Sequence, residues 1–422
     1  MKKIIGRSVP KTNVDFKQPV GLHIIAIMIF CLCLCIAPFV TLLTHYGDIN
    51  FFYNRNDHIF VMFFAGVFGC ISNYFFGSTK SIIHGLQFVI IAIILSFIKN
   101  TYLFSLAALW TGVSVVIVNL LFNLSSFYLK TDSRRLYGFI GVYSSALLGI
   151  AIGVFICFIV LKDAYSFKLF YLFTIIFLLI FFLKNSYKLN TSLTSQTERV
   201  DISFYGVFII FFVFSVILFY LLLNLKIFSS LNLIVLPVSL VYLHVLTVTN
   251  NKETGLELLK YVYFSLVLIV LNKMIYLTFL KYDHNSIDPK YINSVISTFI
   301  FLMFNYGLCI AVYIAWQFKI ISLKIESIIN SKLIKVMLYL EVTKVFILAI
   351  AVFIDNNLVS NMMFIISITL SIILNIFIVP IYFSLGKILA GGKNETITTT
   401  LLYLIYSSLV FVSFLYDISI NI

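Results

Sequence analysis

Charge is what this sequence lacks. Of its 422 residues only 11% are charged, and 16 acidic side chains stand against 29 basic ones. Soluble domains carry about a quarter charged residues, so a soluble globular fold is excluded. Cysteine is scarce too: Cys31, Cys33, Cys35, Cys70, Cys157 and Cys309 all sit within apolar runs, away from loops where an oxidising compartment would pair them. A disulfide framework is not expected. Residues two apart lie about 200° apart on a helix, so Cys33 faces away from Cys31 and Cys35, and that CxCxC run does not make a metal site. P-loop, HExxH, GxSxG and paired-cysteine zinc patterns are also missing. With them go an ATP-driven pump, soluble catalysis and any expected cofactor or metal.

What fills the sequence is apolar: 62% hydrophobic and 17% aromatic residues, with a mean hydropathy of +1.09. A helix crosses the hydrocarbon in about 20 residues. Runs of that length fall at 20–44, 59–76, 81–98, 102–128, 136–161 and 166–183, and then, after the polar stretch 184–201, at 203–224, 228–248, 258–280, 293–316, 335–354, 360–386 and 398–416. The fold class is therefore an all-α polytopic membrane protein of about thirteen transmembrane helices. The basic start has no short apolar core with a small-residue cleavage site, so no signal peptide is expected.

Sidedness follows from the cations. If the N-terminus is cytoplasmic, alternation leaves only Arg55, Lys99, Lys162, Lys168, Lys226, Lys281 and Lys290 outside. Twenty Lys and Arg fall inside, with Lys273 and Lys344 within spans. This fits the positive-inside rule and assigns a multi-pass protein of the cell (inner) membrane, its N-terminus cytoplasmic and its C-terminus external. The net charge of +13 then reads as topology, and nucleic acid is not expected as a partner. The partners are the lipid bilayer and a small-molecule substrate, the chain acting as a monomer.

One loop concentrates charge. In "YLKTDSRRLYGF", Asp132 or Ser133 is placed to cap the fifth span, while Lys130, Arg134 and Arg135 stand among anionic headgroups as a structural cytoplasmic motif. Beyond it Gly141, Ser145, Gly149 and Gly153 recur every four residues, and Ala65, Gly69, Asn73 and Gly77 make a similar stripe on the second span. Such stripes admit close helix approach, in a bundle that slides or in a static one.

Residues 119–153 resemble the fourth and fifth helices of the proton-dependent oligopeptide transporter family of the major facilitator superfamily. Asn119, Tyr128, Asp132, Arg134, Arg135, Gly138, Phe139, Tyr143 and Gly149 stand at the places of its PN, G-x-x-Y, D-x-R-R and G-F-x-x-x-Y-x-x-x-N-x-G pattern. "QPVGL" (18–22) is similar to the H-P-x-G-L start of helix one, 291–316 to helix eight with Asn293 for its asparagine, and 375–389 to helix ten with Pro380 kept. The resemblance implies a two-bundle, major-facilitator-like transporter: an N-terminal six-helix bundle (1–184), a cytoplasmic linker with two extra helices (185–257), and a C-terminal bundle of five helices (258–422). The twelfth core helix is absent, which implies a truncated or repurposed member.

The family's coupling groups are replaced. Its E-x-x-E-R motif falls on Ile29, Leu32 and Cys33, its helix-four lysine on Ile117, its helix-five asparagine on Leu147 and its helix-ten glutamate on Asn375. Ionisable groups at depth are costly and kept for function. Within the second half Lys273, Glu341 and Lys344 remain. Glu341 and Lys344, three apart on one helical face, form either an internal salt bridge or a proton-coupling pair. Lys273 either reaches outer headgroups or binds an anionic group. Asn119, Tyr143, Asn272, Lys273, Asn293, Asn305 and Asn375 are the candidate substrate-binding residues; each polar one serves equally as a helix–helix hydrogen bond. His23 and His84 are expected near cytoplasmic interfaces.

The function expected is secondary active transport of small solutes, by resemblance peptides or amino-acid derivatives, by alternating access with atypical or lost proton coupling. The alternative is a transport-inactive or truncated member that senses or has no function. A membrane glycosyltransferase or polymerase is disfavoured, because the outside candidates Asp48, Asp57, Asp283 and His284 are scattered; the protein is not expected to be an enzyme.

Overall fold

The computed structural model describes residues 18–46, 55–98, 101–129, 132–156, 164–189, 228–250, 252–283, 291–321, 332–353, 357–390 and 395–406, with five isolated positions between 206 and 217. Among the described residues there is no strand. The long helices are α1 (Val20–Tyr46), α2 (Arg55–Phe76), α3 (Ser78–Leu95), α4 (Tyr102–Ser126), α5 (Arg134–Phe155), α6 (Ala164–Asn185), α7 (Phe228–Asn250), α8 (Lys252–Asp283), α9 (Tyr291–Gln317), α10 (Lys332–Phe353) and α11 (Asn357–Ser384). A short α12 (Gly386–Leu389) and a final helix at 395–406 follow. Five helices among the described residues are long and apolar enough to cross a membrane, as a multi-pass protein requires. The expected span 203–224 lies almost wholly outside the described residues.

Lipid is as apolar as leucine, so helices in a bilayer are held by close contact and polar links rather than by removal from water. The glycines show where this happens. Gly85 of α3 and Gly112 of α4 bring two backbones together, and a Cβ on Gly112 would stand 2.5 Å from the Gly85 carbonyl oxygen. Gly69 of α2 meets Val115 and Val118 of α4. The α5 ridge divides between two neighbours: Gly149 lies against the Phe30 carbonyl and Cys33 of α1, while Gly141 faces Tyr313 of α9.

Helices α2 and α3 are joined by Gly77 alone, at φ 79°, a left-handed conformation that glycine adopts at no steric cost. Helix α3 consequently starts at Ser78, three residues before the expected run. Its Ser81 hydroxyl donates to the Gly77 carbonyl at 2.8 Å and lies 2.7 Å from Ser72 Oγ, closing the corner. Pro237 and Pro380 stand inside α7 and α11; neighbouring helices make such breaks tolerable in a membrane.

Two apolar cores result. The first gathers α1, α3, α4 and α6, with Phe139 and Val142 of α5. The second gathers α7, α8, α9, α11, α12 and the final helix, with Met337 of α10 and with Leu136, Tyr137, Ile140 and Leu147 of the same α5. Helix α5 thus has one face in each core and packs on α1, α9 and α11. The halves also meet where Tyr403 of the final helix covers Gly66 of α2 and lies 3.1 Å from the Ser114 hydroxyl of α4.

Candidate functional site

The seam between the cores is lined by aromatic hydroxyls and amides. From α5, Tyr143 is half-buried and close enough to Tyr406 and Cys309 to interact with them electrostatically. From α9 come Asn305, buried at 3% exposure, Cys309 one turn on, and Tyr313. Tyr382 of α11 donates to the Leu402 carbonyl at 2.9 Å, its ring 6.1 Å from that of Tyr406. Tyr137 of α5 stacks on Trp316 of α9 at 4.4 Å. Asn375 is half-buried on α11, two helical turns before Tyr382 and so on the same face. The mutual packing of α5, α9 and α11 brings the helices carrying Tyr143, Asn305 and Asn375 to one seam. Chemically the seam offers neutral donors and acceptors in an apolar frame, suited to polar neutral or zwitterionic groups.

The other candidates go elsewhere. Asn119 is fully buried between α2 and α4: its amide donates to the Gly69 carbonyl at 3.2 Å and the Val115 carbonyl at 2.8 Å, and accepts from Asn73 at 2.6 Å. All of its hydrogen-bonding capacity as donor is spent inside the first half. Glu341 and Lys344 of α10 are buried together, Nζ donating to Oε1 at 2.6 Å, with Oε2 buried and unpartnered. The pair lies on a helix packed against α8 and α11. Asn272, Lys273 and Asn293 lie on α8 and α9, but their side chains fall outside the described residues.

The charged loop folds into a corner. Asp132 accepts from the backbone N–H of Arg134 at 2.9 Å and pairs with its guanidinium at 2.9 Å. Ser133, the residue at the capping position, makes no side-chain cap. Tyr128 donates to Gln18 Oε1 at 2.7 Å, and Gln18 Nε2 donates to the Arg134 carbonyl at 3.4 Å. The Tyr128 hydroxyl lies over Gly138 and the Phe127 ring over Gly21, so a Cβ at either glycine would collide with them. "QPVGL" and the Arg-Arg loop, matched separately in the sequence, are therefore one structural unit. Arg135 is completely buried.

His84 is also buried, at 3% exposure, among Ser72, Phe76, Phe88 and Thr111, beside a small hollow between α2, α3 and α4. It is packed between helices rather than open to the surroundings. His23 is exposed. Among the described residues no three metal-ligating side chains converge.

Sequence reasoning missed Tyr313, Tyr382 and Tyr406. With 25 tyrosines and 45 phenylalanines in the chain, nothing local separates a seam tyrosine from a lipid-facing one.

A POT family transporter in complex with 5-aminolevulinic acid is similar at TM-score 0.64 and 16% identity, over 94% of this chain and 89% of that one. The chain has the fold of the POT family transporters. A POT family transporter in complex with a thioalcohol conjugated peptide matches at TM-score 0.63 and 16% identity, over 93% and 89% of the two chains. The peptide transporter POT in complex with sulfate matches at 0.60 and 14%, over 94% and 88%. No sequence-family model and no curated protein matches the chain. The POT fold is thus retained at identities where its individual side chains are free to differ.

Proposed function

We propose that the protein is a secondary active transporter of small solutes, of the peptide or amino-acid-derivative class, working by alternating access between two bundles (1–184 and 258–422) set either side of the linker and extra helices at 185–257. The likeness to POT family transporters over 94% of the chain carries this reading, together with the polar seam between the cores. Tyr143, Asn305 and Asn375 line the solute path, and Asn272, Lys273 and Asn293 complete it, the amine of Lys273 taking a carboxylate. Asn119 acts at this path only indirectly, by holding α4 against α2. Midplane sites between bundles are the rule for such carriers.

Proton coupling runs through the second half. Ile29, Leu32 and Cys33 of α1, where resemblance places the family's acidic motif, are apolar or thiol side chains packed in the first core. Glu341 is the buried carboxylate among the described residues, and Lys344 is the counter-ion that would receive or release it. The chain acts as a monomer in the inner membrane, its N-terminus and its Arg-Arg loop cytoplasmic.

Uptake into reconstituted vesicles tests this, comparing labelled di- and tripeptides with amino acids and organic acids, with and without an inward proton gradient. Gradient-driven uptake of one class, lost in Glu341→Gln, is the expected result. Gradient-driven uptake that survives both Glu341→Gln and Lys273→Met overturns the coupling scheme. A folded protein that moves none of these solutes supports the second reading, a transport-inactive member that binds or senses; the replacement of the family's groups by Ile29, Leu32, Ile117 and Leu147 is the observation in its favour.

A further inference from the structure

Anchoring in headgroups needs an exposed cation. Arg134, half-buried and paired with Asp132, keeps part of its side chain at the surface. Arg135 does not: it is 0% exposed, and a buried guanidinium is costly unless its donors are used. They are used in two directions. Nη2 donates to the Ser125 hydroxyl of α4 at 3.0 Å, within the first half. Nε donates to the main-chain oxygen of Ser384 at 2.8 Å, the last residue of α11 and part of the second half. The guanidinium lies 5.9 Å from the Phe139 ring centre, and Glu395, at the start of the final helix, is near enough to act on it electrostatically. Asp132 and Tyr128 are the other groups that do so. Nη1 is buried with no hydrogen-bond partner.

The geometry points to Arg135 as a latch that holds the two halves together at the α4–α5 end and is released when that end opens. Three features suit release rather than permanent cement. The acceptor is a terminal helix carbonyl, of the kind left without an intrahelical partner, so breaking the bond costs α11 none of its own ladder. One nitrogen, Nη1, donates to nothing, so the closed state does not satisfy the cation fully. Water reaching the separated halves would satisfy it again, which keeps the dry and wet states near balance. The fork of arginine is needed because its donors point to two helices at once; an ammonium offers no such fixed spread.

The latch rests on the alternating-access reading, and its test needs no substrate and no transport, so failure of either is seen separately. Spin labels go on Leu129→Cys and Phe318→Cys, two positions exposed at 68% and 73% that end elements of opposite halves, in full-length protein with its native cysteines replaced, in lipid nanodiscs. Pulsed electron resonance gives the distance distribution. Arg135→Gln shifts it to longer distances with the helical content unchanged, and Arg135→Lys does the same. Glu395→Gln shifts it in the same direction by less. Ser384→Ala leaves it unchanged, because the acceptor is the main chain. A folded Arg135→Gln protein with the wild-type distribution overturns the latch. Should that variant fail to fold, wild-type distributions in both Arg135→Lys and Glu395→Gln overturn it instead.

Discussion

The two cores are built from similar helices yet satisfy their buried polar groups differently. Among α2, α3 and α4 the links are neutral and short: Asn73 to Asn119, Ser72 to Ser81, and the Ser105 hydroxyl to the Ala92 carbonyl at 2.7 Å. These helices also approach to backbone contact, as at Gly85 and Gly112. The second half holds a buried ion pair, Glu341–Lys344, with one carboxylate oxygen unpartnered, and an aromatic seam around Tyr313, Tyr382 and Tyr406. A neutral amide network has one protonation state and so one arrangement. An ion pair has two, and a group that gains or loses a proton in a dry site changes what its neighbours must do. The contacts among α2, α3 and α4 are accordingly held by groups with one protonation state, and α10 carries a pair that has two.

Breaking the ion pair gives the largest expected effect. Glu341→Gln leaves a buried ammonium without its counter-charge, and single removals of this kind cost about 3–5 kcal/mol. Thermal unfolding in detergent should show that loss, and the double variant Glu341→Gln with Lys344→Met should recover most of it. A double variant no more stable than the single one would mean that the charges are satisfied by other groups.

Next in size is overpacking of the α3–α4 contact. Gly112→Val places a branched side chain where a Cβ alone stands 2.5 Å from the Gly85 oxygen, and overpacking costs about 1–3 kcal/mol. The same change at Gly307 of α9, where a Cβ meets nothing within 4 Å, should leave the melting temperature nearly unchanged. Equal losses at both positions would erase the difference in tightness between the halves.

Smallest is the neutral link. Asn119→Ala removes three hydrogen bonds, but interhelical bonds in membranes average about 0.6 kcal/mol each. The three together come to about 2 kcal/mol at most, so the melting temperature should fall by no more than in Gly112→Val, and substrate affinity should be unaffected. A large change in affinity with little change in stability would return Asn119 to the solute path.

Much of the architecture was legible because a bilayer imposes a simple rule. Only helices satisfy their own backbone there, so runs of about 20 apolar residues predict the all-α class, while the two-bundle fold that the POT structures share was implied by the resemblance of 119–153 to that family. The register of small residues was legible too, but not its division: Gly149 serves α1 and Gly141 serves α9, which depends on what stands opposite. The site was less legible. An asparagine reads the same in sequence whether its helix stands at the seam between the cores, as for Asn305 and Asn375, or it is spent between two helices of one half, as Asn119 is.

Sequence alone determined the membrane and the helices, and it allowed, through three-residue spacing, the Glu341–Lys344 pair that the structure forms. Each follows from composition or from contacts a few residues apart. Tertiary structure decided that Gln18 meets Tyr128 across 110 positions, that His84 turns inward, and that Arg135 reaches the end of α11 across 249. Those partners are set by how helices pack, and no local pattern encodes which side chain will stand at the far end of a guanidinium.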